Sequence, residues 1–148
     1  GEAVADGLQN KPFFGICVGA QLLFDVSEEG NTAGLGWFSG SVKRFATGLQ
    51  DAQGDKLKVP HMGWNQVHQM RAHPLFAGVA QDARFYFVHS YYFAPSDASI
   101  VLGSSDYPES FACVVGRDNV FATQFHTEKS HDAGLQLLQN FMLWDGQA

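Results

Sequence analysis

The chain has 148 residues, of which 45% are hydrophobic, 14% aromatic and 16% charged, with a formal net charge of -6. This is apolar material for one core and too short for two ordinary domains, so residues 1–148 read as a single domain. The acidic balance, without any Lys/Arg cluster, excludes a surface for a phosphate backbone, and no apolar run approaches the roughly 20 residues that span a bilayer; the expectation is a soluble, cytoplasmic protein with neither nucleic acid nor membrane among its partners.

In chain order, Pro12-Phe13-Phe14-Gly15-Ile16-Cys17 is a short apolar run entered through a proline and reads as a buried strand. Past the turn at Gly19, the spacing of Gln21, Leu22, Leu23, Phe24 and Val26 predicts a helix. From Leu35 to Val42 and from Lys56 to Met70, short apolar runs alternate with Gly, Asp and Pro, which suggests strands and loops. Phe85-Tyr86-Phe87-Val88 is an aromatic and β-branched strand ending at His89-Ser90-Tyr91. Ser99 to Ser104 and Phe111 to Val115 read as two more strands about a turn at Asp106-Tyr107-Pro108, and Val120 to Phe125 as a strand running into His126. Leu135, Leu138, Phe141 and Met142 recur at spacings of three and four, predicting an amphipathic helix over 132–143. Helices and strands alternate at both ends and strands fill the middle, which favours an α/β sheet with a β-rich insertion.

Gly15-Ile16-Cys17-Val18-Gly19 places a cysteine between a strand and a helix with glycine on either side, the layout of a nucleophile elbow. The helix behind such a turn offers free N–H groups and a positive dipole end, which favour a thiolate and a developing oxyanion. Set against this is the ordinary role of a free cysteine as a small buried hydrophobe. A nucleophilic thiol needs a base, and the base an orienting group. Of six histidines, only His126 directly follows a strongly apolar strand and has a carboxylate, Glu128, two positions on. In open α/β sheets the carboxyl ends of strands line one crevice, so thiol, imidazole and carboxylate would face the same space. His89 also ends a strand and is a candidate hydrogen-bonding residue, whereas His61, His68, His73 and His131 read as loop or surface residues. No Cys-x-x-Cys or His-x-x-x-His spacing is present, so no metal is implied, and Cys113, inside an apolar strand, reads as core.

The stretch Gly15 to Phe24 with Ser27-Glu28-Glu29-Gly30 resembles the nucleophile segment of class I glutamine amidotransferases. Within that group, Pro60-His-Met-Gly-Trp-Asn65, Phe85-Tyr-Phe-Val-His-Ser-Tyr91 and Gln124-Phe-His-Thr-Glu-Lys-Ser130 look like the glutaminase subunits of imidazole glycerol phosphate synthases. The resemblance implies a flavodoxin-like sheet with flanking helices. It implies glutamine hydrolysis through a thioester without a cofactor, with ammonia passed to a (β/α)8-barrel cyclase subunit in histidine biosynthesis. Carried over residue by residue, Cys17 is the nucleophile, His126 the general base and acid, and Glu128 the group that orients it. Gln21, Glu29 and the backbone of His89, Ser90 and Tyr91 would hold the glutamine, with Glu29 pairing with its ammonium. The Val18 N–H would join the oxyanion hole. Trp64, Asn65, Tyr86 and Lys129 fall where the family meets its cyclase; the plainer roles are core packing for Trp64 and Tyr86 and a solvated charge for Lys129.

The chain departs from the pattern at Thr127, where the family carries proline, and at Val18 and Ala20, both still small or apolar. Family members also place strands and a Pro-Gly-Val-Gly type loop, half of the oxyanion hole, well ahead of the nucleophile, so this chain reads as N-terminally short. Removal of one such donor costs about 100 to 1,000-fold in rate. The alternatives are a non-catalytic module that keeps the fold and partner surface, or another class I amidotransferase.

Overall fold

The computed structural model describes residues 11–28, 32–46, 48–51, 53–107 and 109–146. The strands are β1 (Phe13–Ile16), β2 (Phe24–Ser27), β3 (Thr32–Ala33), β4 (Phe38–Arg44), β5 (His61–Gln66), β6 (His68–Gln69), β7 (Arg84–His89), β8 (Tyr91–Pro95), β9 (Val101–Asp106), β10 (Ser110–Arg117) and β11 (Val120–Thr123). The two α-helices among the described residues are α1 (Val18–Gln21) and α2 (His131–Leu143), so the expected flanking helices amount here to one turn and one longer helix.

Nine strands form one curled sheet, ordered β1-β11-β10-β8-β4-β2-β3, with β9 on β10 and β6 on β9. Pairing is parallel for β1 with β11 and β2 with β4, and antiparallel elsewhere. A separate antiparallel ribbon joins β5 to β7. The sheet buries both faces. Along β11, Phe121 enters one apolar cluster with Phe85, Phe87, Phe125, Leu137 and Trp144, while Ala122 enters a second with Leu23, Phe24, Phe38 and Phe93. The period-two alternation of a strand produces this division. On β10 it slips: Cys113 and Val114 both join the first cluster, where the register against β9 shifts.

The helix predicted through Val26 ends at Gln21. The carbonyls of Leu22, Leu23 and Phe24 accept from the N–H groups of Leu35, Phe38 and Gly36 (2.7, 3.0 and 3.2 Å), so this backbone bonds across to a neighbouring segment instead of along a helix axis, and the chain extends into β2. Leu22 and Val26 stay exposed, and the apolar spacing here reports a strand end rather than a helix stripe. The sequence reading ends a strand at His89-Ser90-Tyr91 and assigns none beyond it, whereas Tyr91 opens a further strand, β8.

The helix α2 lies against the 3-10 turn Thr127–Lys129, and the closest approach is at Gly134, where a Cβ would fall 2.0 Å from the Thr127 carbonyl oxygen. Gly134→Ala therefore forces backbone apart and should lower stability by about 1 to 3 kcal/mol. Gly19, in α1, has open space around an added Cβ, so Gly19→Ala should be neutral or slightly stabilising. Chemical denaturation of the two variants beside the parent measures the difference.

Candidate active site

Cys17 follows directly on β1 with a φ of 52°, a left-handed conformation that costs a non-glycine residue energy. It is held there by its own backbone: its N–H donates to the Thr123 carbonyl (2.8 Å) and its carbonyl accepts from the Gln21 N–H (3.0 Å). Only one of the flanking glycines is demanded by space. A Cβ on Gly15 would lie 3.2 Å from the Ala20 Cα, whereas Gly19 meets nothing within 4 Å. Val18 opens α1 immediately after the thiol, and because α1 is a single turn it offers free N–H groups but little of the dipole expected of a longer helix.

The Cys17 sulfur lies 3.9 Å from the Val88 carbonyl oxygen and accepts from Gln124 Nε2 at 3.7 Å. Gln21, buried, donates from its Nε2 to Gln124 Oε1 at 3.0 Å. The second thiol is unlike the first: Cys113 is fully buried in β10 and burial pushes its pKa far up, in keeping with a core role.

β11 carries the chain to His126. The register Ile16↔Thr123 sets Cys17 and the residues after Thr123 at the same end of neighbouring parallel strands. The His126 N–H donates to the Tyr86 carbonyl (2.9 Å), and Ser130 clamps the same turn, accepting from the Tyr86 N–H (2.9 Å) and donating to the His126 carbonyl. His126 Nδ1 is 2.7 Å from Glu128 Oε1, which assigns the proton to Nδ1 and leaves Nε2 as an acceptor. Partial burial opposes the Glu128 carboxylate, but backbone hydrogen bonding, the His126 ring and the neighbouring Lys129 outweigh it and hold its pKa below the usual glutamate value.

His89 is buried at the end of β7. Its Nδ1–H donates to the Tyr91 carbonyl (2.7 Å), so its Nε2 accepts from His61 Nδ1 (2.9 Å), and His61 Nε2 in turn accepts from Asn65 Nδ2 (3.3 Å). Asn65 also donates to the Asp106 carbonyl (2.9 Å). His61 is thus a buried relay residue between the rings of Phe87 and Tyr107, not the loop or surface residue its sequence setting suggested. Burial, reinforced by His89, lowers its pKa to about 3; burial also lowers that of His89 to about 4, opposed by the Tyr91 carbonyl and aided by nearby His126. Of the other backbone expected to meet substrate, the Ser90 carbonyl already accepts from the Phe45 N–H (3.0 Å). Glu29 lies outside the described residues.

Trp64 and Tyr86 face each other across β5 and β7, edge to face at 5.8 Å, and His131 stacks on Trp64 at 5.2 Å. Trp64 is 44% exposed and Met62 on the same side of β5 is 62% exposed, so this face is not core. Lys129 is exposed on the turn after His126, and Asn65 points to the opposite side of β5 from Trp64, into the relay. Sequence reasoning passed over Gln124, Ser130 and His61 as site residues. For Gln124 a signal existed, because an amide ending an apolar strand must find partners once buried.

Among the described residues, no helix is long and apolar enough to cross a membrane. The family model of "Glutamine amidotransferase class-I" matches residues 2–144. The chain is 72% identical over 143 residues to the imidazole glycerol phosphate synthase subunit HisH of Neisseria gonorrhoeae and 70% identical over 145 residues to that of Chromobacterium violaceum. It covers 97% and 98% of itself in these matches and spans 68% of the length of each relative. Among solved structures, a glutamine amidotransferase matches with a TM-score of 0.61 at 19% identity, over 95% of this chain and 65% of that one. Another from Thermotoga maritima matches with a TM-score of 0.56 at 18% identity, over 95% of this chain and 50% of the other. These two likenesses are of fold.

Thr127 occupies the first position of its 3-10 turn, and its buried hydroxyl has no hydrogen-bond partner among the described residues. His126 before it has φ -86° and ψ 107°, which a residue preceding proline accepts. Thr127→Pro should therefore raise stability by about 1 kcal/mol, since it removes an unsatisfied hydroxyl and narrows the unfolded ensemble, and thermal unfolding will register it. The buried histidine pair sets a second expectation. His61 and His89 bind protons less readily folded than unfolded, so their contribution to stability is complete above pH 6.5 and is lost as pH falls toward 4. Denaturant titrations across this range should show that decline, with a shallower slope in His61→Gln.

Proposed function

Because the chain belongs to the class-I glutamine amidotransferase family, we propose that Cys17, His126 and Glu128 are its hydrolytic triad and that it acts as the ammonia-producing subunit of an imidazole glycerol phosphate synthase. Its function is that of a glutamine amidotransferase. The observation that carries the triad is the pairing of β1 with β11, which brings a cysteine in a left-handed turn and a carboxylate-bound histidine to one end of the sheet.

In this reading the Cys17 thiolate attacks the side-chain carbonyl of glutamine, and the tetrahedral oxyanion is received by backbone N–H groups that include Val18. His126, charged on taking the thiol proton and steadied by Glu128, returns the proton to the leaving nitrogen, so ammonia departs and a thioester remains. Water, deprotonated by the same imidazole, then attacks the thioester and releases glutamate. Gln21, Glu29 and the His89-Ser90-Tyr91 backbone hold the substrate. No cofactor takes part.

The partner in this proposal is a cyclase subunit with a (β/α)8 barrel, in a cytoplasmic heterodimer serving histidine biosynthesis. Support comes from the names of the HisH relatives and from the outer face of the β5–β7 ribbon, where Met62 and Trp64 are exposed and Tyr86 backs the tryptophan. An aromatic anchor on a rigid strand suits a protein interface. Lys129 lies on the next turn, close to the same end of the sheet. Asn65 would act from within, through its bonds to His61 and Asp106.

Ammonia release from glutamine, measured with and without a cyclase subunit and its nucleotide ligand, tests the whole reading. Stimulated release that falls to background in Cys17→Ala and persists in Cys113→Ala is the expected outcome. Turnover surviving in Cys17→Ala would remove the triad assignment, and loss of turnover in Cys113→Ala would identify the other thiol.

A further inference from the structure

Gln124 is fully buried, and its side chain ends on the Cys17 sulfur and the Gln21 amide. Gln21 Nε2 donates to Gln124 Oε1 at 3.0 Å. The other end, Nε2, is then directed at the Cys17 sulfur, 3.7 Å away. The backbone admits no drift, because the Gln124 N–H is itself bonded to the Cys113 carbonyl (2.8 Å).

We propose that Gln124 is a further site residue, an amide donor to the Cys17 sulfur that favours the thiolate and fixes the sulfur's direction, and that Gln21 holds it in that orientation. The inference rests on the triad reading above and deepens it. A donor of this kind stabilises a sulfur anion more than a neutral thiol, since hydrogen bonds to charged groups are the stronger ones. It does so where α1, only one turn long, supplies little dipole. It also links two functions in one chain of contacts: the residue expected to grip glutamine, Gln21, sets the amide that conditions the nucleophile. The titratable and charged groups at this end of the sheet are His89 at the end of β7 and His126, Glu128 and Lys129 after β11, while α1 carries none.

The test is the pH dependence of Cys17 alkylation by iodoacetamide, read as mass gain on the peptide that carries Cys17, with no cyclase or glutamine present. The thiolate displaces iodide, so the midpoint reports thiolate formation directly. In Gln124→Met, which keeps the volume and removes the amide, the midpoint should rise by about half to one pH unit, a roughly three- to tenfold loss in ionisation. In Gln21→Met the amide remains but loses its anchor, and a smaller rise in the same direction is expected. An unchanged midpoint in folded Gln124→Met overturns the proposal, even if turnover falls, since a merely structural role changes rates at every pH alike. Should Gln124→Met fail to fold, an unchanged midpoint in Gln21→Met overturns it instead. Failure of the triad reading has a different signature: Cys17 of the parent would alkylate with the midpoint of an ordinary thiol, near 8.5, and Cys17→Ala would retain turnover.

Discussion

The four-residue parallel ladder from Phe13↔Val120 to Ile16↔Thr123 is the constraint from which the rest of the site descends. Parallel strands end at the same side of a sheet, so whatever follows each one leaves into the same space. After β1 the chain turns through Cys17, and after β11 through Gln124 and His126. The ladder continues one bond past the strands, from the Cys17 N–H to the Thr123 carbonyl, and that bond helps hold the cysteine in its left-handed turn. Burial of Phe121 and Ala122 on opposite faces makes the register of β11 costly to slip, since a one-residue shift would exchange the two apolar clusters.

Around this ladder the polar groups are organised in two layers. Next to the thiol, Gln21, Gln124 and the Val88 carbonyl define the surroundings of the sulfur. Behind them, Asn65, His61, His89 and the Tyr91 carbonyl form a hydrogen-bonded relay, packed among Phe45, Phe87, Tyr107 and Phe111. The aromatic shell explains why these two imidazoles stay neutral: a charge there would lose its hydration with no anion in exchange. The β5–β7 ribbon thus has two characters. Its inner face supports the strand end beside the cysteine, and its outer face presents Met62 and Trp64 to solvent. Period-two alternation of one ribbon is enough to place both.

The loop after β11 depends on different contacts. Ser130 accepts from one strand and donates to the histidine's own carbonyl, and Gly134 lets α2 approach the Thr127 carbonyl closely. The backbone of the turn that presents His126 and Glu128 is therefore held by a hydroxyl and by the lack of a side chain, while the ring itself is met by Glu128.

The strand before Cys17, the strand before His126, the carboxylate two residues on and the final helix were all legible from the sequence. Each depends on neighbours within a few residues, which is the range over which turn chemistry and periodicity act. The early end of α1 was not legible, because the carbonyls of Leu22, Leu23 and Phe24 are claimed by Leu35, Phe38 and Gly36, and local spacing carries no trace of that competition. Nor was the burial of His61, whose partners stand 28 residues away at His89 and across a strand pair. The roles of Gln124 and Ser130 were hidden likewise: an amide or a hydroxyl has no preferred partner until tertiary packing removes water and leaves only certain groups in reach. Local sequence marked Cys17, His126 and Glu128 as reactive groups and the strand ends at which they lie. Tertiary structure alone decided which of them meet, because contact between residues 17, 21, 88 and 124 is a property of strand order, and no stretch of neighbouring residues contains it.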